Sequence, residues 1–397
     1  MAMSENLYPL PKGWEWRKLG DVAEYINGMA FKPTDWGNSG LPIIRIQNLN
    51  GSDEYNYFSG EVKDRYLVKN GDILISWSAS LDVYKWSAGA AVLNQHIFNT
   101  KINYDVIDYN FFFYTVKNAL KDILQNLHGC AMKHITKGKF ENIDIPLPPL
   151  EAQKRIVQKL DGLFAKADKA IALLDGSIAS ASALLPSALN EVFGELSEKW
   201  EIKNLSNVVK INSGIALPSI FKDKEQFNGG VIPFYKVAQM NIDAIFMTSA
   251  ELYFDNEIAK KENIKIFPKG SVLLPKRGGA ILTNKKRIMT VDASYDSNIM
   301  GLKADNKILN DAFLFIFLES TDLANYVDTT TIPQINNKHI DMMKIPLPPL
   351  NIQTEVVAHL DAVRDKSERL IAKLKAQRDE LVALKASLLD KAFKGEL

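Results

Sequence analysis

The sequence predicts a duplicated α/β (α+β) chain. Two mixed α/β globular segments alternate with two long helices, and the helices pair as an antiparallel coiled coil about an internal pseudo-two-fold axis. Three observations carry this expectation. The residues Ile145-Pro146-Leu147-Pro148-Pro149-Leu150 return unchanged at Ile345-Pro346-Leu347-Pro348-Pro349-Leu350. A long helical pattern follows each copy, and short strand-like runs precede each copy. A self-match at a constant offset decides the architecture before any local reading does. The divisions fall at 1–145 and 197–344 for the globular segments, and at 146–196 and 345–397 for the helices.

The first globular segment opens with Trp14-Glu15-Trp16-Arg17-Lys18-Leu19. Glycine and proline then punctuate the apolar runs Leu41–Ile46, Gly71–Ser76 and Ala90–Leu93, which read as strands because turn formers bound them. Tyr109 to Leu127 is apolar at helical spacing through Phe112, Val116, Leu120, Ile123, Leu124 and Leu127, and predicts a helix. The second segment repeats the order. Trp200-Glu201 answers the opening, Gly214 stands where Gly28 stood, and Ile232–Val237 and Lys269–Leu274 answer the strands. Ile308 to Tyr326 answers the helix. The apolar frame is shared while the polar loops are not, so two copies of one scaffold carry different loop chemistry.

The helices show the most regular pattern. Val356, Leu360, Val363, Ser367, Leu370, Leu374, Gln377, Leu381, Leu384 and Leu388 step by four and three, which is a heptad seam. The same register runs through Ile156, Leu160, Leu163, Ala167, Ala170, Leu174, Ser177, Ala181, Leu184 and Ala188. The first seam is rich in small residues and the second in leucine, so the two can interdigitate. Gly176 and Pro186 weaken the first helix, and a kink or break is expected near Pro186. The Pro-Pro pairs set a stiff elbow at each helix start. Helices of about 43 residues at a rise of 1.5 Å span roughly 65 Å.

Bulk properties narrow the class. Hydrophobic content of 46% and charged content of 24% are those of an ordinary globular chain, and 397 residues suffice for two cores. No run is expected to approach the roughly 18–20 apolar residues needed to span a bilayer, and Met1–Leu10 lacks the apolar stretch of a signal peptide. Cys130 is the only cysteine, so no internal disulfide forms and a reducing cytoplasm is expected. A net charge of +1 excludes a chain basic all over, though not a basic groove balanced by acidic surface elsewhere.

This arrangement closely resembles the specificity subunit of type I restriction–modification systems. The resemblance rests on both proline motifs with Gln153 and Gln353 three residues on, on Leu160-Asp161 and Leu360-Asp361, on the Trp-Glu openings, and on Met132-Lys133-His134-Ile135-Thr136. It implies that the globular segments are target-recognition domains, each reading one half of a bipartite double-stranded DNA site. It also implies that the helices set the spacer and dock two methyltransferase (modification) subunits, joined for restriction by motor–nuclease subunits. S-adenosylmethionine, ATP and Mg would then serve the partner subunits, with no cofactor in this chain and no membrane partner. Gln334-Ile335-Asn336-Asn337 stands where Lys133-His134-Ile135-Thr136 would, which puts different chemistry in the second copy.

No catalytic signature accompanies it. The sequence has no Gly-x-x-x-x-Gly-Lys-[Ser/Thr] loop, no Gly-x-Gly-x-x-Gly and no Asn-Pro-Pro-Tyr, and its five histidines lack metal-ligand spacing. DNA contact has better candidates. Lys276, Arg277, Asn284, Lys285, Lys286 and Arg287 surround the apolar pair Ile281-Leu282 on a glycine-turned loop. Lysines there suit phosphates, while Arg277 or Asn284 suit base edges. The competing reading is a solvated hairpin. The first segment offers Ser76, Ser78, Tyr84 and Lys85 instead. Gln47, Asn48 and Asn50, with Gln239 and Asn241 in the corresponding place, could pair with adenine, although amides after strands are also common turn formers. Lys133, His134 and Lys137 suit phosphates, opposite Gln334, Asn336 and Lys338. A self-sufficient methyltransferase or nuclease with an unrecognised site, and a coiled-coil scaffold that binds no DNA, remain as alternatives.

Overall fold

The structure, a computed structural model, describes residues 7–126, 134–218, 230–241, 245–327 and 332–397. It divides into two compact units, Met1–Asp175 with Ala376–Leu397, and Gly176–Lys375. Each unit therefore holds one globular segment and a length of each long helix, and the division crosses the helices rather than following the proline motifs.

In the first unit, strand Glu15–Lys18 pairs antiparallel with Asp144–Leu147, placing Trp16 opposite Pro146. The opening and the proline motif thus form one ribbon. Only Pro148 and Pro149 remain for the turn, and the Pro149 carbonyl accepts from the N–H groups of Ala152 and Gln153 at the helix start. The main sheet runs Ala23–Asn27, Ile97–Ile102, Ile73–Ser76, Asp82–Lys85, antiparallel throughout. A smaller sheet runs Asn56–Phe58, Leu41–Ile44, Ala91–Leu93, Leu67–Val68, with its central pair parallel. Helix Tyr109–Asn126 presses Phe112, Val116 and Leu120 into a core shared with Tyr25, Ile75 and Phe98.

The second unit repeats this order. Ile202–Asn204 pairs with Lys344–Pro346. The main sheet runs Val209–Ser213, Ile299–Ala304, Val272–Pro275, Arg287–Met289, and gains a fifth strand, Phe246–Met247. The smaller sheet runs Leu252–Phe254, Ile232–Tyr235, Ser294–Tyr295. The helix expected over 308–326 is shorter. It runs Asp311–Ser320 because Asn310 caps its start, and a separate turn at Leu323–Tyr326 is capped by Asp322.

The equivalence of Gly28 and Gly214 holds in detail. Gly28 N–H donates to Ile97 O and Gly214 N–H to Ile299 O. A Cβ at Gly28 would lie 2.2 Å from the carbonyl oxygens of Leu93 and Asn94, and one at Gly214 would lie 1.9 Å from Asp296 O. Each strand crosses its neighbour too closely for a side chain.

The long helices run Leu150–Lys199 and Leu350–Lys394. They pair antiparallel within each unit. In the first, Val157 and Leu160 share a core with Leu389, Ala392 and Phe393, Arg378 Nε meets Asp175 Oδ1 at 2.7 Å, and Lys385 pairs with Asp168. In the second, Leu189, Phe193 and Leu196 share a core with Leu360, and Ser367 Oγ donates to Ala181 O at 2.7 Å.

Three expectations about the helices are corrected. The break near Pro186 does not occur, because the first helix runs through that residue to Lys199. Pro186 and Ser182 are both exposed, so the carbonyl that lacks its helical donor faces solvent. The heptad spacing is kept, but one of its two seam positions lies a residue later than expected over part of each helix. Ser177, Leu184, Leu370, Gln377 and Leu384 are exposed, while Ile178, Leu185, Ile371, Arg378 and Lys385 turn inward in their place. Leu374, Leu381 and Leu388 keep their places, so the inward positions still step by four and three. Finally, one helix, Leu150–Lys199, is long and apolar enough by length and composition to cross a membrane, with mean hydropathy 1.4 over 18 residues. Its Ala, Leu and Ile content, with few charges, produces that value.

Candidate nucleic-acid interface

The loops that follow Ile73–Ser76 and Val272–Pro275 occupy the same place in their units. In the first, a backbone β-bridge sets Ser78 beside His134, and Ile135 N–H donates to Trp77 O at 3.0 Å. In the second, a backbone β-bridge sets Arg277 beside Gln334, and Ile335 N–H donates to Lys276 O, also at 3.0 Å. Each unit therefore brings one residue of a strand-end loop beside one residue that precedes a short helix, Lys137–Glu141 or Asn337–Met342. The first pair is hydroxyl and imidazole, and the second is guanidinium and amide. His134, Arg277 and Gln334 are exposed and Ser78 is half-buried.

The backbone holds these loops by unlike means. Ser76 is buried, its Oγ donating to Ser80 O and accepting from Asp82 N–H at 3.0 Å, so it closes its own loop. Gly278 N–H donates to Pro333 O at 2.9 Å, and Asn284 takes a left-handed turn at φ 54°. Leu282 and Ile332, both exposed apolar residues, lie in the two segments joined by the Arg277–Gln334 bridge.

Several residues singled out from the sequence lie elsewhere than on an open surface. Asn48 is buried, accepting from Arg45 N–H and donating to Ser52 O and Glu54 O, so it staples its turn rather than presenting an amide. Ser76 is withdrawn for the reason just given. Lys286 is buried at 4% exposure, with Nζ donating to Thr321 O at 2.6 Å and to Asn284 Oδ1 at 2.7 Å. Burial pushes its ammonium down to about 8, against the opposing pull of Asp322 and Glu319. Asn284 Oδ1 also accepts from Leu323 N–H at 2.9 Å, so its acceptor is occupied. Arg287 is buried in its strand and donates to Lys286 O. Lys133 lies outside the described residues, as do His128 and Cys130.

The remaining candidates face solvent wholly or in part. Gln47, Asn50, Lys85, Lys137, Lys338 and Asn336 are exposed, the last with its Oδ1 capping the helix at Lys338 N–H. Tyr84 OH donates to Asn50 Oδ1 at 2.9 Å, and Lys285 Nζ donates to Asn241 O at 3.3 Å. Both units thus tie the turn after their Pro-containing strand to the main sheet's last hairpin. Gln239 is half-buried, and its Oε1 accepts from Lys236 N–H as Asn48 Oδ1 accepts from Arg45 N–H. Lys276 is half-buried, with Nζ on Ser213 Oγ at 3.1 Å.

Sequence reading missed what the glutamines after the proline motifs do. Gln153 and Gln353 are wholly buried, and each makes three hydrogen bonds to backbone of its own unit. Their position three residues past a duplicated motif was the available signal. Among the described residues no group of three His, Cys, Asp or Glu side chains could hold a metal ion.

Comparison with known proteins accords with this duplicated scaffold. Residues 11–172 and 197–377 match the family described as the type I restriction modification DNA specificity domain. The type I restriction enzyme EcoBI specificity subunit of Escherichia coli is 23% identical, over 99% of this chain and 88% of that one. The MjaVIII specificity subunit of Methanocaldococcus jannaschii is 24% identical, over 98% and 94%. A solved structure concerning complex assembly and conformational transition of the type I R-M system aligns with a TM-score of 0.79 at 21% identity, over 98% of this chain and 100% of that one. The HsdS subunit from Thermoanaerobacter tengcongensis aligns at 0.57 and 21% identity, over the full length of both chains. At that identity the structures speak for the fold, whereas the family match covers most of the sequence. The chain belongs to the type I restriction-modification DNA specificity family.

Proposed function

We propose that this chain is the sequence-recognition subunit of a type I restriction–modification complex, with each globular segment reading one half of a split DNA site. The observation that carries the reading is the pair of equivalent bridges, Ser78–His134 and Arg277–Gln334. One scaffold presents two unlike sets of donors and acceptors, as two unlike half-sites require. Arg277 suits the O6 and N7 of guanine, and Gln334 suits adenine. Gln47, Asn50, Ser78, Tyr84, Lys85, His134 and Lys137 would serve the first half. Gln239, Lys276, Lys285, Asn336 and Lys338 would join Arg277 and Gln334 in the second, and Lys133 is assigned to the first by sequence position alone.

The long helices would set the gap between half-sites and dock two modification subunits. Leu184, Leu370, Val382 and Leu384 are exposed on them. Methyl transfer from S-adenosylmethionine to an extruded adenine, and ATP-driven cleavage, would belong to partner subunits, with no catalytic residue in this chain. The chain would act in the cytoplasm, where the DNA is.

Co-expression with the neighbouring modification subunit, followed by a genome-wide map of methylated adenines, tests this. A split motif with two short defined halves around a constant gap is expected. A single contiguous site would remove one globular segment from recognition, and absence of methylation beside an active-enzyme control would favour the scaffold alternative. Arg277→Ala should relax one half of the motif by about 1–3 kcal/mol per base and leave the other intact.

A further inference from the structure

The second unit's reading loop is attached at both of its ends to one other segment. At its start, Arg277 bridges Gln334 and Gly278 N–H reaches Pro333 O. At its end, Asn284 Oδ1 takes both the Lys286 ammonium and the Leu323 N–H, while the same ammonium reaches Thr321 O. The loop from Lys276 to Lys286 is therefore clipped to the flanks of the stretch from Thr321 to Gln334. The clip at its end is buried, charged and built around a left-handed residue. Among the described residues the first unit's loop has no such buried ammonium, and the neutral Ser76 hydroxyl bonds to Ser80 and Asp82 backbone.

We infer that Asn284 and Lys286 are positioning residues for the second half-site, which set where Arg277, Lys285 and Gln334 stand without touching DNA themselves. This rests on the proposed reading of the second unit as a DNA-recognition surface. A buried ammonium held by two oxygens has few alternative placements, because moving either oxygen away leaves a charge without its partner in a desolvated site. A side chain of that kind holds a loop to a small range of positions. A base-reading arginine displaced by about 1 Å loses its paired hydrogen bonds, so the clip acts on discrimination first.

The test uses the full complex with the modification subunit and three variants. Asn284→Gly keeps the left-handed backbone and deletes the shared acceptor. Asn284→Asp keeps an acceptor for both donors. Lys286→Met deletes the ammonium. Methylation maps and duplex binding are read at each half-site across a salt series. Asn284→Gly and Lys286→Met should lose about tenfold in discrimination at the second half-site, with the first unchanged, and Asn284→Asp should restore it. The slope of affinity against salt should stay at the wild-type value for Lys286→Met, whereas Lys285→Ala should reduce it by about one, since that slope counts phosphates neutralised. A slope lowered by Lys286→Met would make Lys286 a DNA contact and overturn the inference. Equal loss at both half-sites would do so too, because it indicates general destabilisation. If the wild type yields no split motif, the underlying reading fails instead. A split motif that Asn284→Gly leaves untouched defeats the clip alone.

Discussion

Asp108 N–H donates to Gln153 Oε1 at 2.7 Å, and Asn310 N–H donates to Gln353 Oε1 at 2.8 Å. Each glutamine also donates its Nε2 to two carbonyls, Val106 and Pro148 in one unit, Ile308 and Pro348 in the other. One side chain thereby seats a long helix against the globular segment it follows, twice in one chain. Gln153→Leu or Gln353→Leu would strand a buried N–H and two carbonyls at about 1–3 kcal/mol each, so a combined loss of at least about 3 kcal/mol is expected. Urea unfolding measures it, and a loss below about 1 kcal/mol would show that water replaces the amide.

Gly214→Ala and Gly28→Ala should each destabilise their unit by about 3 kcal/mol or more, since the new methyl meets backbone carbonyls that cannot rotate away. Gly278→Ala, at φ 74° with no atom near its absent Cβ, should cost only about 1 kcal/mol. Thermal unfolding of the three variants ranks them, and a reversed order would contradict the close crossing.

Lys286 makes stability depend on pH. Below about 8 it is charged whether folded or not, and its burial penalty is fully present. Between about 8 and its ordinary value of 10.5 the folded chain releases the proton first, so stability rises with pH across that window. Relative to Lys286→Met, the wild type should gain on the order of 3 kcal/mol from pH 7 to 10.5. Unfolding at a series of pH values measures the difference, and a flat difference would mean that the ammonium stays hydrated.

Pro186→Ala should raise the melting temperature. The residue is exposed in the middle of a continuous helix, and alanine restores a backbone N–H while removing the ring's clash, a gain of about 2 kcal/mol. A lower melting temperature would imply that the proline relieves strain in the helix pair.

The frame of this protein was legible because it is written twice. The proline motifs, the two Trp-Glu openings and the Gly28–Gly214 equivalence survive in the structure, since each depends on local geometry that a short sequence encodes. The interface was less legible. Asn48, Ser76, Lys286 and Arg287 have the composition of contact residues, yet each is used by its own unit, and for Lys286 the deciding partner is Thr321, 35 positions away. No local pattern distinguishes a lysine that meets phosphate from one that meets a carbonyl. The seam was legible in its period but not in every residue. The count has the right period but places one seam position a residue early, at Leu384, which is exposed, where Lys385 turns inward.

The ribbons Glu15–Lys18 with Asp144–Leu147 and Ile202–Asn204 with Lys344–Pro346 have an engineering consequence. Each globular segment enters and leaves through two adjacent strands, so its ends are already joined by hydrogen bonds before any of its interior is considered. A segment with matching ribbon strands can be spliced in as a cassette, cut at those strands, while the helices keep their length and register. Under the proposed reading, exchanging the two cassettes across an antiparallel helix pair would return the same split site, read on the opposite strand.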